Sequence, residues 1–212
     1  FSLILAIQIL IIFVVAPLAA TASASPQLIE MLRFGLAATT ILIIARRLVV
    51  RAAIAFAFLA TLLSTLQWRI GEPAAVITGL KIAITIAFGV IVSIIVGIAT
   101  FGPGRVTVHR ILGAVIFYLY VALIFAGVYR LLAITVHPSF ASLPQDPRGR
   151  FSSLLYFSLS ALTTAGNGGV IALHPLIQSL ASLEAVIGQL YPATLLARLV
   201  TLHAAGSPQD RR

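Results

Sequence analysis

Apolar residues run along this chain in long blocks, with polar and turn-forming residues confined to the gaps between them. Six blocks cover residues 1–20, 28–45, 52–68, 74–100, 111–136 and 176–203. Each approaches or exceeds the roughly 20 residues that carry a helix across a bilayer core. The gaps hold turn chemistry, including Ser25-Pro26, Gly71-Glu72-Pro73 and Gly102-Pro103-Gly104. The longest gap, from His137-Pro138 to Arg150, contains Pro144 and Pro147. A seventh block at 151–162 is too short to cross and predicts a short helix. Thr163-Thr164-Ala165-Gly166-Asn167-Gly168-Gly169 follows it, before the last long block. The pattern predicts an all-α membrane protein of six transmembrane helices, with a short helix and a loop inserted between the fifth and sixth.

Composition agrees with a bilayer environment. The chain is 60% hydrophobic and 9% charged, with a mean hydropathy of +1.12, and a soluble 212-residue domain could not solvate such a surface. Cysteine is absent, which excludes disulfides, thiolate nucleophiles and cysteine metal sites. The net charge of +9 does not point to nucleic acid, because the arginines cluster between apolar blocks, where membrane topology places them. Arg46, Arg47, Arg51, Arg105, Arg110, Arg198, Arg211 and Arg212 fall on one side; Arg69, Arg148 and Arg150 fall on the other. The excess predicts that both termini are cytoplasmic. Arg46, Arg47 and Arg51 are also suited to anionic lipid headgroups. The first block ends near Ala22-Ser23-Ala24, which resembles a signal-peptidase site, but no basic segment precedes it. The chain opens on Phe1 rather than methionine, so further residues are expected before it.

The glycine-bearing loop is the most informative segment. Lipid offers exposed backbone no hydrogen-bond partner, so non-helical chain at membrane depth is tolerated only where protein buries it or where it lines a watery cavity. Gly166 and Gly168 flank one residue and permit conformations closed to other residues. Such freedom lets carbonyl oxygens converge on one axis and replace the water shell of an ion. The loop therefore reads as an ion-conducting filter.

Residues 156–198 resemble the pore module of the potassium-channel superfamily, in particular small bacterial six-helix ion channels with a two-helix pore domain. The likeness rests on Tyr156-Phe-Ser-Leu-Ser-Ala-Leu-Thr-Thr164, on Leu183-Glu-Ala-Val-Ile-Gly-Gln-Leu-Tyr191 and on Ala197-Arg-Leu-Val200. The resemblance implies a homotetramer around a central pore, in a bacterial inner membrane. It implies a four-helix domain at 1–104 and a pore domain at 105–212, with outer helix 111–136, re-entrant pore helix 151–162, filter 163–169 and inner helix 175–203. Thr163 leads into the filter. Thr164, Ala165, Gly166, Asn167 and Gly168 take the positions usually filled by Thr-Val-Gly-Tyr-Gly, and carbonyls of Thr164, Ala165, Gly166 and Asn167 would hold K+. Asn167 stands where an aromatic is usual and Gly169 where aspartate is usual, and both changes predict a less rigid, less selective filter. No other cofactor is implied.

Glu184 lies deep in the last block, where an ionisable group is a functional candidate by default. It is expected to brace the filter through a pore-helix hydroxyl at Ser158, Ser160 or Thr163, with Ser160 as the supporting residue. Gly188 and Pro192 interrupt the same block and predict a gating hinge, against the alternative of close helix packing. Gln189, Pro192 and Leu196 share a helical face; the resemblance turns that face toward a cavity below the filter, lined by Gln189 and Leu196, against the alternative of an interhelical hydrogen bond from Gln189. The fourth block carries one charge, Lys81, where steep voltage sensing needs about 3–4 per subunit, so a voltage sensor is not expected. Lys81 is expected to pair with Glu30 or to snorkel outward. His109, His137, His174 and His203 show no metal spacing, and the chain lacks the carboxylate pair or nucleophile–base set of an enzyme. Passive conduction of monovalent cations, potassium first, is the expected function. A transporter lacks its second broken-helix repeat here, and a non-conducting or non-selective relative is the remaining alternative.

Overall fold

The computed structural model describes residues 2–17, 75–102, 107–166 and 169–206. The blocks at 28–45 and 52–68, Glu30, and the filter residues Asn167 and Gly168 lie outside the described residues. Helix dominates what is described. Helix α1 (Ser2–Leu10) runs into a π-helical stretch at Ile11–Val15. Helices α2 (Ala75–Phe101), α3 (Val108–Thr135), α4 (Pro147–Leu162) and α5 (Pro175–Gly206) follow. Three segments are long and apolar enough to cross a membrane: Val76–Phe101, Val108–Thr135 and Pro175–Ala197. These three helices are consistent with a multi-pass membrane protein.

Helix α3 is the centre, packed by α1, α2, α4 and α5. Its buried face carries Gly113, Ala114, Ala122, Ala126 and Ala133. Small residues let helix backbones approach where lipid supplies no hydrophobic drive between helices. Gly127 meets Ile86 of α2 so closely that an added Cβ would force that side chain to move. Val92, Val96, Ile116 and Tyr120 fill the α2–α3 seam. Ile12, Ala16, Leu119, Ala126 and Leu155 join the segment after α1 to α3 and α4. Tyr129, Ala133, Leu154, Phe157, Val170 and Ile177 join α3, α4 and α5.

Helix α4 begins four residues earlier than the expected 151. Asp146, with extended backbone (φ −68°, ψ 140°), accepts the Gly149 N–H, and Pro147 takes the start of the helix. An acidic N-cap followed by proline suits a helix start, since proline lacks only a donor that would be unpaired there. Helix α3 likewise starts three residues before the expected 111 and α5 runs three past 203.

Two short strands fix how α4 sits. Strand β1 (Phe140–Ala141) pairs antiparallel with β2 (Ile171–Ala172), Phe140 opposite Ala172 and Ala141 opposite Ile171. Leu173 N–H also donates to the Ser139 carbonyl at 3.0 Å. The segment between the strands thus departs and returns at one level, beside the end of α3 and the start of α5. At 16 residues, α4 is about 24 Å long, short of a bilayer core. Its C-terminal end rests on Gly188, about 20 Å along the α5 axis from Pro175.

Candidate functional site

The loop after α4 starts as a helix cap. Thr163 is right-handed (φ −87°, ψ −5°) and Thr164 is left-handed (φ 56°). Thr164 N–H donates to the Ala161 carbonyl at 3.1 Å, and Ala165 N–H to the Ser160 carbonyl at 3.0 Å. These two bonds form a Schellman motif, whose left-handed position is normally glycine. Here a β-branched threonine occupies it, a conformation that is an outlier for such a residue. Ala165 returns to negative φ, and Gly166 is left-handed again at 87°. Thr163, Thr164, Ala165 and Gly166 are all exposed in the single chain.

Gly166 and Gly169 differ in what they require. A Cβ at either would meet nothing within 4 Å, but only Gly166 has a left-handed φ. Gly166→Ala is therefore expected to cost about 1–2 kcal/mol, and Gly169→Ala less than about 0.5 kcal/mol. Thermal unfolding in detergent checks the contrast.

Helix α5 meets α4 at three levels. At the first, Glu184 is fully buried. Tyr129 of α3 donates its hydroxyl to Glu184 Oε2 at 2.7 Å. Ser158 Oγ lies 2.5 Å from Glu184 Oε1 and 2.8 Å from the Ala122 carbonyl. Ser158 has one proton, and the Ala122 carbonyl can only accept. Both Ser158 contacts are hydrogen bonds only when the carboxyl supplies the second proton. A neutral acid also escapes the cost of a charge at membrane depth. The expectation for Ser160 is corrected here: Ser158 is the hydroxyl that meets Glu184. Ser160 is two residues further along α4, turned some 200° around the helix, and serves the loop through its carbonyl instead.

At the second level, Gly188 faces the backbone of Leu162. An added Cβ would overlap the Leu162 carbonyl, with no flexible side chain to give way. That carbonyl also accepts the Tyr118 hydroxyl at 3.1 Å. Helix α5 is continuous through Gly188 and Pro192. Pro192 lacks the N–H that would otherwise meet the Gly188 carbonyl. The structure therefore supplies a packing reason for Gly188, beside the expected hinge.

At the third level, Gln189 Nε2 donates to Thr164 Oγ1 at 2.7 Å, and Thr164 Oγ1 to the Thr163 carbonyl at 2.7 Å. Gln189, Pro192 and Leu196 are exposed, as residues on a shared open face would be. His174 closes the start of α5, its Nδ1 accepting the Leu176 N–H at 3.2 Å.

The tyrosines were not foreseen as site residues. Tyr118, Tyr129 and Tyr191 each tie two helices together, the last by donating to the Ala114 carbonyl at 2.8 Å. Tyr191 also stacks on Phe117 and Tyr118, with ring centroids 5.5 Å apart in both pairs. The signal was present, because a tyrosine within an apolar block needs a partner for its hydroxyl. Among the described residues, no three His, Cys, Asp or Glu side chains converge. The oxygens a cation could meet at the loop are hydroxyls and backbone carbonyls. No protein-family profile, curated protein or solved structure matches this chain.

Proposed function

We propose that the chain is one subunit of a homotetrameric pore that conducts monovalent cations passively, potassium first among them. The carrying observation is the exposed loop Thr163–Gly166, alternating in handedness, at the C-terminal end of a helix too short to cross a bilayer. A helix C-terminus carries about half a negative charge, which favours a cation beside it. Backbone carbonyls can replace the hydration shell of an ion, so the barrier lowered is dehydration, and no bond is made or broken. In this reading α4 is a re-entrant pore helix entering from outside, with both termini cytoplasmic.

One loop supplies a quarter of a ring, and the surface of the single chain accords with neighbours. Helix α5 is covered along one narrow stripe through Ile177, Glu184 and Gly188, while Leu183, Val186 and Leu190 stand exposed. An open groove lined by Ile12, Ala16, Ser153, Tyr156, Leu159 and Thr163 runs beside α4. Weak selectivity is the second reading. It is favoured by Asn167 where an aromatic residue would brace the loop.

Purified protein in potassium-loaded liposomes tests the proposal. Barium-sensitive potassium efflux exceeding sodium flux is expected, from particles of four subunits. Equal potassium and sodium flux selects the second reading. Monomeric or dimeric particles without flux overturn both.

A further inference from the structure

We infer that Gln189 is a positioning residue for the cation path, fixing the side chain and backbone of Thr164 through its amide. The inference rests on the conducting role proposed above and names a residue that sets its ion preference.

Thr164 is expensive where it stands. Left-handed backbone costs a non-glycine residue about 1–3 kcal/mol and persists only where the surroundings over-determine it. Glycine would close the same Schellman motif without that cost. What threonine adds is a hydroxyl, and that hydroxyl is held from both sides. Its single proton goes to the Thr163 carbonyl, which can only accept, at 2.7 Å. The group 2.7 Å away on its other side must therefore donate, and the Gln189 Nε2 does so. The order amide, hydroxyl, carbonyl follows from proton inventory alone.

Gln189 reaches Thr164 because of the residue before it. Gly188 lets the α5 backbone close onto Leu162, so the next side chain arrives at the loop and no lower. Glu184 holds Ser158 one turn away and sets the rotation of α5 against α4. The amide thus transmits the position of α5 to the first residue of the loop with left-handed backbone.

The side chain at 189 then has predictable effects. Leucine, of similar size, cannot donate, and Thr164 is released. Glutamate can only accept when ionised, so the Thr164 proton must turn from the Thr163 carbonyl toward it, and that carbonyl loses its donor. Asparagine keeps the chemistry but is one methylene short.

Purified native protein, Gln189→Leu, Gln189→Glu and Gln189→Asn are compared in liposomes for potassium and sodium flux. Solid-state NMR of 13C-threonine-labelled protein reports the Thr164 backbone, its signals assigned by loss in Thr164→Ser. Gln189→Leu is expected to lower the potassium-to-sodium flux ratio about fivefold, the worth of one hydrogen bond. It is also expected to move the Thr164 shifts away from left-handed values, with tetramer stability retained. A Gln189→Leu protein with native flux ratio and native Thr164 shifts overturns the inference. Should the native protein carry no flux, the conducting role fails, and the shifts alone decide: unchanged shifts in Gln189→Leu refute the positioning and changed shifts uphold it. If leucine prevents folding, Gln189→Asn and Gln189→Glu carry the same comparison, since both keep a polar side chain at an exposed position.

Discussion

Glu184→Ala is expected to destabilise the protein by about 3–5 kcal/mol, the larger of the two greatest effects anticipated. The carboxyl is fully buried and faces two hydroxyls, Tyr129 and Ser158. Removing it leaves the Tyr129 hydroxyl unpaired in a dry seam, at about 1–3 kcal/mol, while Ser158 keeps the Ala122 carbonyl, and opens a cavity among three helices. Glu184→Gln should behave differently. An amide donates from one end and accepts at the other, as the neutral acid does here. It can donate to Ser158 while accepting from Tyr129, so a loss below about 1.5 kcal/mol is expected. Unfolding temperatures in detergent, read by loss of the monodisperse peak in size-exclusion chromatography, separate the two variants. Equal losses for alanine and glutamine would show that the carboxyl sits there charged and that an amide cannot replace it.

The second large effect is at Gly188, where two principles oppose each other. In an open helix, alanine is better than glycine by about 1 kcal/mol. Against Leu162 it is worse, because its Cβ would overlap a backbone carbonyl and not the end of a flexible side chain. Overpacking against rigid atoms costs about 1–3 kcal/mol, so contact outweighs propensity and Gly188→Ala is expected to lose about 2 kcal/mol. The displaced carbonyl is the one that holds Tyr118, and it lies one residue before the loop. Changed loop conformation should accompany the loss of stability. A hinge role alone predicts a different outcome, altered opening with native unfolding temperature. Measuring unfolding of Gly188→Ala, with threonine labels as a reporter of Thr164, distinguishes close packing from flexibility.

Both effects depend on contacts between residues far apart in sequence, and that separation explains what could be read without coordinates. Helix identity and approximate bounds came from local pattern. An unbroken apolar block in lipid has one way to satisfy its backbone, so α2, α3 and α5 were legible to within three residues. The start of α4 was misjudged because the apolar block was followed and not the cap. Asp146-Pro147 was a local signal and was passed over.

Within the site, Glu184, Gly188 and Gln189 were recognised from their own chemistry in an apolar helix. Their partners were not. Ser160 was favoured over Ser158 and Thr163 for Glu184 without support, because sequence does not give the rotation of α4 about its axis. Packing chose Ser158. Nor did the chain show that Gln189 would face Thr164, a contact that depends on how closely Gly188 lets two backbones approach.

Hydropathy alone pointed to a bilayer, to long helices and to a short glycine-bearing segment between two of them, since each follows from the character of neighbouring residues. Tertiary structure decided that the segment carrying α4 leaves and returns at one level, that a threonine caps α4 in a conformation suited to glycine, and that Glu184, Gly188 and Gln189 of α5 meet α4 and the loop after it. Those outcomes are set by the distance and rotation between helices, which arise from the summed packing of small residues along α3 and are encoded at no single position.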